Sequence, residues 1–171
     1  KKMKKVLFIL ISGLIVTACN TDKTSEAETE TTPSTEADET VQEPTEDAII
    51  REYIAEQGWE AKRDPSGVYV VIENPGEGDE RPAVTDEVTL YYKGYFMDGE
   101  QFDGTKDAPV VFGLQRLIPG WQVGIPYFGK GGKGKLIVPH KMGYGRNDYG
   151  PIPGESILVF DIEVIDWSAN K

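Results

Sequence analysis

The stretch Val88-Thr89-Leu90-Tyr91-Tyr92-Lys93-Gly94-Tyr95-Phe96, followed by Asp98-Gly99 and then Gln101-Phe102-Asp103, decides the fold. Val88, Leu90 and Tyr92 alternate with Thr89, Tyr91 and Lys93, so a two-residue period gathers the apolar set on one face of a strand. Asp98-Gly99 is a hairpin signal, because glycine takes the positive φ that a tight turn demands. Gln101–Asp103 then starts a short returning strand. This segment predicts an antiparallel sheet with one greasy face.

Downstream, Pro109–Phe112 reads as another short strand. Pro119 suits the first position of a helix, where its missing N–H leaves nothing unpaired, and Pro126 limits that helix to about two turns. Gly129–Gly134 reads as a loop and Lys135–Pro139 as a strand. Gly143–Ser156 is a loop rich in glycine and proline. In the closing strand Ile157–Trp167, Leu158, Phe160, Ile162 and Val164 share one face, while Asp161 and Glu163 are expected to face out. Upstream, Val68–Glu73 reads as a strand after the turn Asp64-Pro65-Ser66-Gly67. Thr45 followed by Glu46 and Asp47 starts a helix, with Ile49, Ile50, Tyr53 and Ile54 on one face and Gly58 as its stop. Many short strands with antiparallel turn signals and one short central helix predict an α+β fold.

Charge divides the chain into three kinds of segment. The net charge is −11, made up of +4 over residues 1–19, −9 over 20–47 and −6 over 48–171. Residues 1–19 read as a secretory signal, with Lys1–Lys5 basic and an apolar run Val6–Val16 too short to span a bilayer comfortably. The run ends in Val16-Thr17-Ala18-Cys19, which resembles a bacterial lipobox. In that motif the cysteine is lipidated, and a diacylglyceryl group supplies the two chains that stable anchoring needs. The acidic segment 20–46 has almost no apolar residues, so it is expected to be a disordered tether, kept extended by self-repulsion. The folded domain is expected over 47–171.

Several chemistries are excluded. An acidic chain is a poor ligand for phosphate backbones, so nucleic acid is not an expected partner. Cys19 is the sole cysteine and cannot form an internal disulfide. His140 is the sole histidine; with no nucleophile motif and no second ligand near it, it is read as a surface residue at a strand end, and no metal site is expected. Gly129–Lys135 matches a phosphate-binding loop by count, but Leu136 stands where Ser or Thr is needed and the loop leads into a strand. Asp98, Glu100 and Asp103 lack the spacing of a calcium loop. What remains is aromatic: Tyr92, Phe102, Phe112, Trp121, Tyr144 and Phe160. On pattern alone such residues are core more often than site.

Their surroundings carry a resemblance. Val88–Gly94 with Asp98–Asp103 resembles V-x-V-x-Y-x-G followed by D-G-x-x-F-D, and Leu117-Ile118-Pro119-Gly120-Trp121 is similar to V-I-x-G-W. Gly143-Tyr144-Gly145 is similar to A-Y-G, and Ile152-Pro153 with Leu158–Val164 to I-P-x…L-x-F-x-V-E-L. These ordered motifs resemble the FKBP-type peptidyl-prolyl isomerases. The resemblance implies a twisted antiparallel sheet wrapped around one short α-helix, and catalysis of rotation about X-Pro bonds without a cofactor. It implies Tyr92, Phe102, Asp103 and Tyr144 as catalytic residues, with Asp103 as a carboxylate at the buried edge. Phe112, Leu117, Ile118, Trp121, Ile152 and Phe160 follow as substrate-binding residues, with Trp121 flooring the pocket. The Ile118 N–H and the Tyr144 hydroxyl would hold substrate carbonyls. The partners implied are proline-containing segments of envelope proteins, with a macrolide as a candidate inhibitor, for a monomer anchored in the cell envelope through Cys19. The chain departs from the pattern at Val110, at His140 and in the loop Arg146–Glu155, where Gly154 replaces a usual proline. Those departures motivate an alternative, a chaperone or binding module of the same fold with weak or no turnover.

Overall fold

Residues 87–96 pair along their whole length with the C-terminal strand, with one register shift between Thr89 and Leu90, and that pairing centres the sheet. The computed structural model describes residues 44–169. The expected secretory signal, Cys19 and the expected tether up to residue 43 lie outside the described residues. The strands are β1 (Ala61–Arg63), β2 (Tyr69–Asn74), β3 (Glu87–Phe96), β4 (Gln101–Gly104), β5 (Val110–Gly113), β6 (Gly132–Val138) and β7 (Leu158–Ser168). They lie in the order β1-β2-β6-β7-β3-β4, with β5 also on β3. Every pairing is antiparallel. β7 runs along the whole of one edge of β3, from Glu87 opposite Ser168 to Phe96 opposite Leu158. The other edge of β3 is shared, β5 pairing with Glu87–Leu90 and β4 with Lys93–Tyr95.

Two helices lie on opposite faces of this sheet. Helix α2 (Pro119–Gly124) carries Pro119 in its first turn and passes into a 3-10 turn over Ile125–Tyr127 that contains Pro126. It buries Trp121, and Ile125 behind it, against Val88, Leu90, Leu136, Val138, Leu158, Phe160, Ile162 and Val164. Close approach depends on Gly120 and Gly124. A Cβ at Gly120 would stand 2.5 Å from Val138 Cγ1, and one at Gly124 would stand 2.5 Å from Leu136 Cδ2. Full burial of each large aliphatic side chain contributes about 1.5–3 kcal/mol, so this layer is the main source of stability.

Helix α1 (Glu46–Gln57) covers the other face. Thr45 caps it by accepting the Ala48 N–H at 3.3 Å, and Gly58 ends it in the left-handed region at φ 68°. Ile50, Tyr53 and Ile54 pack on Tyr69, Val71, Ile137 and Val159. The helix begins at Glu46, so the fold takes in the last residue that composition assigned to the tether.

Three local expectations are corrected. β6 begins at Gly132, not Lys135, because Gly132-Lys133-Gly134 already pairs with Val164, Glu163 and Ile162 of β7. Asp161 does not simply face water. It accepts from Lys135 Nζ at 2.6 Å and from the Tyr95 hydroxyl at 3.0 Å. His140 is not a free surface residue. Glu46 of α1 reaches it, and one carboxylate oxygen accepts the His140 N–H at 2.7 Å and lies 2.9 Å from Nδ1.

Asp47 ties α1 to the strands beneath it. Its carboxylate accepts from Arg63 Nε at 2.7 Å and from the Tyr69 hydroxyl at 2.9 Å, and it pairs with Arg51 one helical turn on. The Arg63 bond, then the Tyr69 bond, hold its pKa down at about 2 against an ordinary 3.8. A depressed folded-state pKa gives stabilisation that is complete above the unfolded value and is lost as pH falls through the folded one. Asp47→Asn is therefore expected to lower the urea midpoint of the full chain at pH 7. The gap to the parent should close between about pH 4 and pH 2, and an unchanged gap across that window would contradict the assignment.

Candidate active site

The open end of the concave face is closed by residues from six elements. Tyr92 comes from β3 and Phe112 from β5. Arg116 ends a 3-10 turn, Leu117 and Ile118 follow it, and Trp121 lies on α2. Phe160 comes from β7. Phe102 and Asp103 come from β4, where the local register matters. Gly94 pairs with Asp103 and Tyr95 with Gln101, so Phe102 is an extra residue in its strand. Such a bulge re-aims a side chain. The Phe102 ring swings across Gly94, where a Cβ would stand 2.7 Å from Phe102 Cζ and 3.0 Å from Phe160 Cε1. Gly94 is thus required by close approach, and the Y-x-G spacing in the sequence marks the spot where two aromatic walls meet.

These residues enclose a cavity of about 210 Å3, also lined by Tyr144 and Tyr149. Trp121, only 4% exposed, is its hub. Its ring meets Tyr92 edge-on at 5.1 Å and 81° and Phe160 at 5.2 Å and 89°. Phe102 meets Phe160 at 5.7 Å and 89°. Edge-to-face contacts set positive ring edges against negative faces and fix the walls in place. The indole N–H of Trp121 is buried without an acceptor among the described residues.

Polar groups are few. The Tyr92 hydroxyl donates to Asp103 Oδ2 at 2.7 Å, and the Gly104 N–H donates to Oδ1 at 2.8 Å. Burial, and then the bond to Asp103, push the Tyr92 phenol well above its ordinary range. Burial also raises Tyr144, a residue 38% exposed whose ring stacks on that of Tyr149 at 4.5 Å and 11°. Both hydroxyls therefore stay protonated throughout the neutral range; that of Tyr92 is spent on Asp103, and that of Tyr144 is the one free to donate to a ligand. The Ile118 N–H, at the N-cap of α2, is not taken up by any acceptor among the described residues.

The structure brings Tyr92, Phe102, Asp103, Phe112, Leu117, Ile118, Trp121, Tyr144 and Phe160 to this one cavity. Ile152 is not among its lining residues. It is 5% exposed and packs in the core with Trp121 and Phe160, behind the wall it was expected to form. Asp103 is more exposed than a carboxylate at a buried edge, because β4 is the last strand of the sheet. Arg116 and Tyr149 also line the cavity and were not singled out from the sequence. Tyr149 arrives through its mutual backbone bonds with Ile152 at 2.8 and 3.0 Å, which no periodicity announces. The loop that carries it closes on itself, Glu155 N–H donating to Gly145 O at 2.9 Å. Gly154 fits there because a Cβ would stand 2.1 Å from Arg146 O.

Comparison with known proteins agrees with this geometry. Residues 78–165 match the FKBP-type peptidyl-prolyl cis-trans isomerase family. The isomerase FkpA of Buchnera aphidicola subsp. Schizaphis graminum is 44% identical over 103 residues, which are 59% of this chain and 41% of that protein. The crystal structure of FkpA from Escherichia coli superposes with a TM-score of 0.64 at 36% identity, covering 70% of this chain and 57% of the other. That of a peptidyl-prolyl cis-trans isomerase from Pseudomonas syringae gives 0.62 at 30% identity, covering 69% and 90%. This chain belongs to the FKBP-type peptidyl-prolyl cis-trans isomerases. It spans about two fifths of the length of the Buchnera relative.

Gly94→Ala tests the wall. The added methyl should push Phe102 and Phe160 apart and cost about 1–3 kcal/mol, the usual range for overpacking. Chemical denaturation of the full chain measures this; a variant as stable as the parent would contradict the close approach described.

Proposed function

We propose that the cavity catalyses cis/trans rotation about X-Pro bonds in polypeptide segments. The observation that carries this reading is the aromatic enclosure over Trp121, with unspent donors at its rim. Rotation breaks amide resonance against a barrier of roughly 18–20 kcal/mol and leaves isomers of similar energy. No covalent bond is cleaved, so the reaction calls for no nucleophile. The planar amide is strongly dipolar and the twisted amide less so. An apolar enclosure therefore disfavours the ground state more than the transition state, which is the differential binding that accelerates a reaction. The proline ring packs on Trp121 between Tyr92, Phe102 and Phe160. The Ile118 N–H and the Tyr144 hydroxyl hold the flanking carbonyls, as donors in a water-poor site. Tyr92 and Asp103 lock each other and keep that wall from collapsing.

The same reading takes the substrates to be proline-containing segments of envelope proteins and the domain to be monomeric. It admits a macrolide as an inhibitor lodged over Trp121. It places the chain at the cell envelope, anchored through lipidated Cys19, on the strength of the short apolar run and the Val16–Cys19 motif. Among the described residues no helix is long and apolar enough to cross a membrane. The alternative of a chaperone module without turnover predicts that clients are protected from aggregation even when the pocket is destroyed.

The full chain, expressed in a bacterium, should accelerate isomerisation of an X-Pro peptide in a protease-coupled assay. Phe102→Ala and Trp121→Leu should each lower kcat/KM at least tenfold, about 1.4 kcal/mol of transition-state stabilisation. A rate no faster than the uncatalysed one sinks the isomerase reading. In the same preparations Cys19→Ala should abolish partition into the detergent phase; partition that survives this change rules out the lipid anchor.

A further inference from the structure

Two charged side chains line the cavity, and they are in opposite situations. Asp103 is satisfied within the protein, one oxygen taken by the Tyr92 hydroxyl and the other by the Gly104 N–H. Arg116 is not. The chain has five arginines. Arg51 and Arg63 pair with Asp47, Arg146 with Glu155, and Arg81 donates to the carbonyls of Gly78 and Glu80. Arg116 alone makes neither an ion pair nor a hydrogen bond among the described residues, although it stands at the cavity and carries a fork of donors. Its stem runs past Gly113, where a Cβ would stand in ordinary contact at 3.8 Å from Arg116 Cδ.

Arg116 also sits at a defined place along the cavity. It immediately precedes Leu117 and Ile118, and so flanks the free Ile118 N–H. Tyr92, Asp103, Tyr144 and Tyr149 line the same cavity and supply its hydroxyl groups and its one carboxylate. A peptide in the cavity therefore meets a cation with no partner among the described residues and a carboxylate that already accepts two hydrogen bonds. An acidic side chain finds a cation that no carboxylate among the described residues holds, whereas a basic one shares Asp103 with the Tyr92 hydroxyl and the Gly104 N–H.

Resting on the isomerase reading, we infer that Arg116 is a specificity-determining residue that selects substrates with a carboxylate side chain within two residues of the proline. A guanidinium presents paired donors that match a carboxylate, and no competing carboxylate of the protein has to be displaced first. The chain as a whole carries −11, which repels acidic peptides at long range. The selection is therefore a contact effect, acting within a Debye length of about 8 Å at physiological salt.

The test uses the full chain and X-Pro peptides that differ only in Glu or Gln, placed in turn at one and two positions on either side of the proline. At one of these positions kcat/KM for the Glu peptide should exceed that for the Gln peptide by about two- to fivefold, the range of a partly exposed ion pair. That ratio should shrink in high salt, fall to about one in Arg116→Gln and drop below one in Arg116→Glu. A ratio of one at every position in the parent, or a preference that survives Arg116→Gln, overturns the assignment. Failure of the parent to turn over either peptide would instead defeat the isomerase reading. The same peptide pairs titrated for binding by tryptophan fluorescence then decide the role of Arg116 by the same ratios.

Discussion

The pairing of β3 with β7 along its full length is the constraint from which the rest of the molecule follows. It fixes which residues of both strands face α2, because a one-residue slip would turn every side chain to the other face. In the observed register Leu90, Tyr92, Phe160 and Ile162 reach the concave side together, and Gly94 lies opposite Phe160. That coincidence leaves a gap in the middle of the sheet. Phe102 from the bulged edge strand fills it from one side and Phe160 from the other. Trp121 closes the floor because Gly120 and Gly124 let α2 settle on β6. The cavity is thus a consequence of register and of three missing side chains, and it needs no flexible part to form it.

The chemistry suits that construction. A reaction that breaks no bond gains most from a rigid, dry enclosure with a few fixed donors, and it has little use for ionisable catalysts. The single histidine serves elsewhere. His140 is bound to Glu46 at the start of α1, three residues before Gly143-Tyr144-Gly145. The turn that carries Tyr144 is in this way fastened to the helix on the far face of the sheet.

Most of the architecture was legible in the sequence, for local reasons. Two-residue alternation in Val88–Phe96 and Leu158–Val164 gave the central strands. Asp98-Gly99 gave the hairpin, Pro119 and Pro126 bounded α2, and Thr45 and Gly58 bounded α1. Eight residues of the cavity could be named because they lie in motifs of fixed spacing, and Phe112 because the resemblance those motifs carry implies it. The misses are those set by distant partners. Gly132-Lys133-Gly134 reads as loop on composition, but strands on both sides recruit it. His140 reads as surface until α1 brings Glu46 across 94 residues of sequence. Ile152 is displaced from the cavity into the core, and Tyr149 takes a place at the rim, through the backbone bonds of one irregular loop. Arg116 was passed over because its significance is the absence of a partner, which a sequence does not display.

The central claim is that X-Pro segments bind against Trp121. The chain has three tryptophans, so the full protein labelled with 15N gives three indole N–H signals. Trp59 packs against α1, and Trp167 lies near the end of β7 beneath Lys130. Titration with an X-Pro peptide should shift the Trp121 signal saturably and leave those of Trp59 and Trp167 in place, while the same peptide with alanine for proline should shift none. A Trp121 signal unmoved at saturating X-Pro peptide would contradict the account.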